Sequence, residues 1–209
     1  KIGIALNLNN LSWLYQWIIK DLDKAVKYTS RSLELFKETN DEMGMSQSYC
    51  RIASLYDDKG DINKALENCR YALKIDEAGN YKQSLARTFF KLGEIYYTCG
   101  DYNKTLDYYN RALKIFEESG LEDRIGWLLC SLGLTYIYQA KYDKAIQTFE
   151  KAQILQKKLK QSDEDFLWST MPLYYCYKKL GKSYDKNKIY KLIDSTDNIH
   201  VSTNYLLYQ

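Results

Sequence analysis

A short phrase returns along this chain at a fixed interval, and that interval limits what the chain can fold into. The phrase reads Asp23-Lys24-Ala25, Asn63-Lys64-Ala65, Asn103-Lys104-Thr105 and Asp143-Lys144-Ala145, with 40 residues between successive lysines. A period of this size marks stacked supersecondary units that touch only their neighbours, rather than one closed core. Function is then to be sought on an extended surface before a catalytic pocket.

Within the third unit, Phe89, Leu92, Gly93 and Tyr96 fall at helical spacing, Cys99-Gly100-Asp101 breaks the run, and Tyr102, Thr105, Tyr109 and Ala112 resume it. Each half has the period of an amphipathic helix. Gly100 suits the left-handed end of the first helix and Asp101 the cap of the second, so the unit is an antiparallel helix hairpin. Gly93 and Ala112 are small where two helices must approach closely.

The fourth unit repeats this with Leu132, Gly133, Tyr136, Tyr142, Ala145, Phe149 and Ala152. The second does so with Ile52, Ala53, Tyr56, Gly60, Ile62, Ala65, Cys69 and Ala72, and the first with Leu8, Leu11, Ser12, Tyr15, Leu22, Ala25 and Ser32. One extra residue in the first unit, where Trp17 to Lys20 replace the glycine turn, predicts an enlarged loop. A weaker fifth copy holds Tyr177, Gly181, Tyr184 and Ile189. Its first helix contains Pro172, which removes a backbone hydrogen bond at a cost of about 3 kcal/mol and predicts a kink or a late start. The apolar residues among Asn198 to Gln209 predict a short capping helix, since a solenoid end needs cover.

Leu-Gly-x-x-Tyr, then Gly-Asp-Tyr, then Ala/Thr-x-x-x-Tyr/Phe-x-x-Ala resembles the tetratricopeptide repeat family, with units of 40 residues in place of the usual about 34. The resemblance implies an all-α, right-handed superhelical solenoid of antiparallel helix hairpins. It implies one array over 1–209, with repeats near 1–40, 41–80, 81–120, 121–160 and 161–195 and a capping segment at 196–209. In such an array the first helix of each hairpin lines a concave groove.

The positions on those first helices that packing does not need give the candidate partner-binding residues. They are Asn9, Asn10 and Trp13; Arg51; Arg87, Phe90, Lys91 and Tyr97; Trp127, Leu134, Ile137 and Tyr138; and Trp168. Trp17 joins them, so all four tryptophans lie on the groove, and exposed apolar residues with a polar rim mark binding surfaces. Arg51, Arg87 and Lys91 are expected to converge and to meet acidic groups, the competing reading being internal pairs with Asp58 and Glu94. Chaperone-binding members of the family hold a C-terminal carboxylate with a Lys-Asn-Asn-Lys-Arg clamp. Arg87 and Lys91 match its last two positions, while Asn9, Trp13 and Arg51 depart from the first three. That speaks against this ligand and leaves the general mode, a peptide lying in a groove. Most of the 21 tyrosines, Tyr56, Tyr96, Tyr136, Tyr102 and Tyr142 among them, read as packing residues.

Other classes find little support. The net charge of +3 gives weak attraction for nucleic acid, and the five cysteines lack CxxC spacing, with His200 the only histidine. No metal or cofactor is expected, and no phosphate loop or nucleophile elbow appears, so the chain reads as non-catalytic. Scattered thiols and the lack of a long apolar run suggest a reducing, cytoplasmic setting without membrane contact. The chain opens on Lys1, which reads as a fragment of something longer. The leading expectation is an interaction scaffold for a protein or peptide with acidic and apolar residues. The alternative is a regulatory or sensory arm controlling an attached enzymatic or DNA-binding domain, and self-association through the solenoid edge is a third option.

Overall fold

The computed structural model describes residues 1–185 and Asn187. In order, its elements are α1 (Ile2–Leu14), a π-helical turn (Tyr15–Ile19), α2 (Leu22–Glu38), α3 (Glu42–Asp58), α4 (Ile62–Ala78), α5 (Lys82–Thr98), α6 (Tyr102–Glu118), α7 (Glu122–Tyr138), α8 (Tyr142–Lys158) and α9 (Asp163–Lys179). The fold class is all-α, and the described residues contain no strand. The chain divides into two compact units, residues 1–115 and 116–209. Ile189 and the expected capping segment at 196–209 lie outside the described residues.

The recurring phrase has a physical meaning. Asp21, Asp61 and Asp101 each accept a hydrogen bond from the backbone N–H of Lys24, Lys64 and Lys104, capping the second helix of a hairpin. Each lysine then turns its Nζ back onto that carboxylate, at 3.2, 2.9 and 3.0 Å. The same Nζ also lies over a tyrosine of the first helix, 5.4 Å from Tyr15, 5.1 Å from Tyr56 and 4.8 Å from Tyr96. One lysine thus joins cap, charge and aromatic ring across the turn. In the fourth hairpin Lys141 replaces the capping aspartate, and Lys144 stands off to 6.0 Å from Tyr136.

Within each hairpin the helices cross at one matched pair. Gly93 faces Tyr109 so closely that a Cβ on it would lie 2.3 Å from the ring, and a Cβ on Gly133 would lie 2.5 Å from Phe149. The same places in the first two hairpins hold Ser12 with Thr29 and Ala53 with Cys69, all four side chains fully buried. Thr29 Oγ1 donates to Ser12 Oγ at 2.7 Å. As the residue on the second helix grows, the residue on the first shrinks, which keeps the crossing filled at interior density. Fully burying a ring such as Phe149 contributes roughly 1.5–3 kcal/mol.

Two sequence expectations need correction. The extra residue of the first hairpin does not enlarge a loop. It widens the helix into the π turn, so that the Asp21 N–H reaches the Tyr15 carbonyl where Asp61 N–H reaches Tyr56, one residue nearer. Lys20 then takes the left-handed φ of 63° that Gly60 and Gly100 supply elsewhere. Nor does α9 begin late, for it starts at Asp163 and runs through Pro172. The proline denies a donor to the carbonyl four residues before it, yet Thr170, Met171, Leu173 and Cys176 around it are buried, and that packing offsets the loss.

The joints between hairpins follow a column of second-helix residues, Phe36, Asp76, Phe116 and Gln156, all buried. Phe36 lies against Gly44, where a Cβ would meet the ring at 2.3 Å. Asp76 instead accepts from Ser46 Oγ and from Thr88 Oγ1, both at 2.6 Å.

Gly93→Ala is expected to destabilise the fold by about 1–3 kcal/mol through overpacking against Tyr109. Combined with Tyr109→Cys, which recreates the Ala53–Cys69 pair, the cost should fall well below the sum of the two single changes. Denaturation of the four proteins in a double-mutant cycle checks this, and additive costs would contradict it.

Candidate functional site

The first helices present the predicted residues in two separate sets. In the first unit, Trp13 and Trp17 are each 52% exposed. Asn10 and Arg87 are exposed, and Asn9, Arg51, Phe90 and Tyr97 are half-buried. Phe90 stacks on Tyr109 at 5.4 Å, and Tyr97 meets Tyr102 edge-on at 5.9 Å. These two rings therefore serve packing as well as the surface.

The three basic residues do not share one role. Arg51 Nε donates to Ser12 Oγ at 3.2 Å, its Nη2 is shielded from solvent without a partner, and among the described residues it makes no ion pair. Burial lowers its pKa. Lys91 is largely buried, donates to Ser54 Oγ at 3.2 Å and pairs with Glu94 at 2.5 Å. Burial pushes its pKa down, but Glu94 outweighs that and leaves it raised. Lys91 and Arg87 both act electrostatically on Cys50, whose thiol burial pushes up to about 11. Of the two internal pairs weighed from the sequence, Lys91–Glu94 forms, whereas Asp58 accepts from Gln16 Nε2 at 2.6 Å instead of meeting Arg51. Asp57, which with Asp58 reads from the sequence as a solvated carboxylate pair, is partly buried at the end of α3. Its Oδ1 is shielded and unpaired, and its pKa is raised, chiefly by burial and against the pull of Lys91.

In the second unit, Trp127 on α7 and Trp168 on α9 are 64% and 45% exposed, and they occupy the same place in successive first helices. Between them opens a cavity of about 130 Å³, lined also by Cys130, Ser131, Leu134, Gln156 and Gln161. Gln156 Oε1 accepts from Ser169 Oγ at 2.7 Å. Among the described residues no charged side chain lines the cavity. Leu134 and Ile137 pack on the core around Phe149 and Cys176, while Tyr138 is 60% exposed. The sequence list missed Gln156 and Gln161. The signal for Gln156 was its column, where an amide stands in line with two phenylalanines.

The chemistry on offer is recognition by ring, amide and cation. Burial pushes the Cys176 thiol up to about 12 and raises Cys69 further, which suits packed thiols rather than nucleophiles. Among the described residues no cluster of three or more His, Cys, Asp or Glu could hold a metal ion, and no helix is long and apolar enough to cross a membrane.

Comparison with known proteins agrees with the geometry. Sequence models of the tetratricopeptide repeat match residues 84–157 and 46–78. No curated protein sequence matches. Among solved structures, aspartyl phosphate phosphatase F from Bacillus subtilis is similar at 20% identity and a TM-score of 0.76, over 92% of this chain and 49% of that one. A Rap protein complexed with Competence and Sporulation Factor is similar at 22% identity and 0.76, over 99% and 55%. BtubC from P. vanneervenii is similar at 19% identity and 0.66, over 99% and 89%. These likenesses establish the fold, and the chain spans about half the length of the first two structures.

Asp57→Asn is expected to raise the melting temperature at neutral pH, because it removes a buried carboxylate oxygen that nothing pairs. A carboxylate whose folded pKa is raised gives its full stability at low pH and loses it as pH rises through the folded value. The gain should therefore vanish below about pH 4, where the unfolded carboxyl is also protonated. Melting curves from acid to neutral pH check this, and a gain independent of pH would contradict it.

Proposed function

The chain belongs to the tetratricopeptide repeat family, and on that premise we propose that it is a non-catalytic interaction scaffold whose first-helix face binds a segment of a protein partner. One observation carries the reading. The packing places of the first helices are closed by matched pairs, yet all four tryptophans stand beside those places at 45–64% exposure. Burying large aromatic residues supplies much of the energy of protein recognition, so leaving four in solvent is a cost that a partner removes.

The partner segment carries acidic and apolar residues. Of the three groove cations Arg51, Arg87 and Lys91, Arg87 is the outward one, since Lys91 is held by Glu94 and Arg51 turns its Nη2 inward. In the second unit the cavity between Trp127 and Trp168 has the size and neutrality to take one aromatic or branched aliphatic side chain, with Gln161 and Ser131 at its rim for the segment's backbone. Asn10, exposed on α1, offers donor and acceptor alike. The Rap structure complexed with a factor supports a peptide-binding reading by analogy of fold.

A second reading, an arm controlling an attached enzymatic or DNA-binding domain, is favoured by the coverage, since this chain aligns with about half of two longer proteins. The mass of the protein isolated from its source separates the two, because a value near 24.7 kDa would contradict the arm.

Arg87→Glu and Trp168→Ala change exposed side chains and should leave the melting curve in place. Each is expected to weaken capture of the partner about tenfold or more, the loss common for a central aromatic or charged contact. Affinity capture with quantitative mass spectrometry, wild type against each variant, checks this. An unchanged set of captured proteins would move the interaction off the first-helix face.

A further inference from the structure

The turn between α1 and α2 departs from the repeat in a way that builds a cavity. Tyr15–Ile19 form a π-helical turn, a rare element that often marks a functional site. The equivalent turns at Lys59-Gly60 and Cys99-Gly100 use one residue fewer and place a glycine at the left-handed position. Here that position is Lys20, at a φ of 63° that glycine adopts more readily. An irregular backbone kept at one place directs attention to the side chains it positions.

Those side chains surround a cavity of about 250 Å³, lined by Gln16, Trp17, Lys20, Leu22 and, from the end of α3, Asp58. All five belong to the first unit. The lining combines a cation, an anion, an indole, an amide and an aliphatic side chain. Opposite charges on one opening could pair, yet Lys20 and Asp58 do not. Lys20 Nζ lies over the Trp17 ring at 5.5 Å, and among the described residues neither it nor Asp58 forms an ion pair.

Asp58 is also held in position. Gln16, only 5% exposed, donates from Nε2 to Asp58 Oδ2 at 2.6 Å. Swinging the carboxylate away would strand that buried amide without its acceptor. Among the described residues nothing donates to Asp58 Oδ1, which leaves this oxygen for a further donor.

A ligand with both charges answers this arrangement. Its carboxylate draws Lys20 off the ring, where an exposed cation–π contact holds it weakly, and its ammonium meets Asp58 Oδ1. The freed indole face and Leu22 then cover an apolar or aromatic group. The cavity also limits size, since drug-sized ligands fill about 300–1,000 Å³. An α-amino acid carries all three parts on one carbon.

We propose that the π turn and the end of α3 form a binding site for a free α-amino acid with an apolar or aromatic side chain. Lys20 holds the carboxylate, Asp58 the ammonium and Trp17 the side chain, while Gln16 is a positioning residue for Asp58. The site goes beyond the partner-binding reading, shares only Trp17 with it, and is observable without any protein partner.

Isothermal titration calorimetry of the chain with L-phenylalanine and, separately, L-leucine tests it. Saturable binding of at least one is expected, with a Kd between about 1 µM and 1 mM. N-acetyl-L-phenylalanine lacks the ammonium and L-phenylalaninamide the carboxylate, so each should bind about tenfold more weakly or worse than L-phenylalanine. Asp58→Asn keeps an acceptor for Gln16, and Lys20→Gln changes an exposed side chain, so both should leave the melting curve in place. Each should nonetheless lower the affinity about tenfold or more. No binding of either amino acid at about 10 mM would overturn the proposal. So would blocked forms that bind as well as the free amino acid, or two variants that bind as the wild type does.

Discussion

Each hairpin of this protein rests on one contact, the crossing of its two helices at a single matched pair of buried residues. Ser12 with Thr29, Ala53 with Cys69, Gly93 with Tyr109 and Gly133 with Phe149 solve the same packing problem with four different volumes. The pair fixes how near the helices come, and with it which residues face inward. Other features follow from that choice. The Lys24, Lys64 and Lys104 side chains can bridge an N-cap aspartate and a tyrosine ring only because the first helix is held at that distance.

Closing the hairpins this way separates structure from function within a single helix. One side of each first helix is committed to the crossing and the joints, where burial is complete or nearly so. The remaining side is free to vary, and it carries Leu6, Gln47, Arg87, Trp127 and Trp168 at corresponding places in five successive repeats. An apolar, a neutral polar, a cationic and two aromatic residues at one structural place show that packing does not select there. The joints vary too, with Phe36 against Gly44 in one and Asp76 among Ser46 and Thr88 in another. A buried carboxylate held by hydroxyls demands every one of its partners, so that joint fixes its register more strictly than an aromatic one.

Much of this was legible before any coordinates. The period gave the hairpins, the aspartates gave the caps, and the small size of Gly93 pointed to a close approach. What stayed hidden were properties of distance rather than of order. The extra residue before Lys20 could sit in a loop or in a helix, and only the bond from Asp21 to Tyr15 shows that the helix widened. Pro172 predicted a kink or a late start because its local cost is visible in sequence, while the burial that lets α9 start at Asp163 is not. Asp58 was a plausible mate for Arg51 by proximity along the helix, yet Gln16, 42 residues away, claims it. The cavity beside Trp127 needed Gln156 to be seen as a polar member of a buried column that also holds Phe36, Asp76 and Phe116.

The most direct measurement is hydroxyl-radical footprinting of the chain alone and with its captured partner, read at the tryptophans and at Tyr71. Trp127 and Trp168 are predicted to become protected while Tyr71, 47% exposed on a second helix, stays as reactive as before. Protection confined to Tyr71 and the second helices, with all four tryptophans unchanged, would contradict the claim that the first-helix face is where this protein binds.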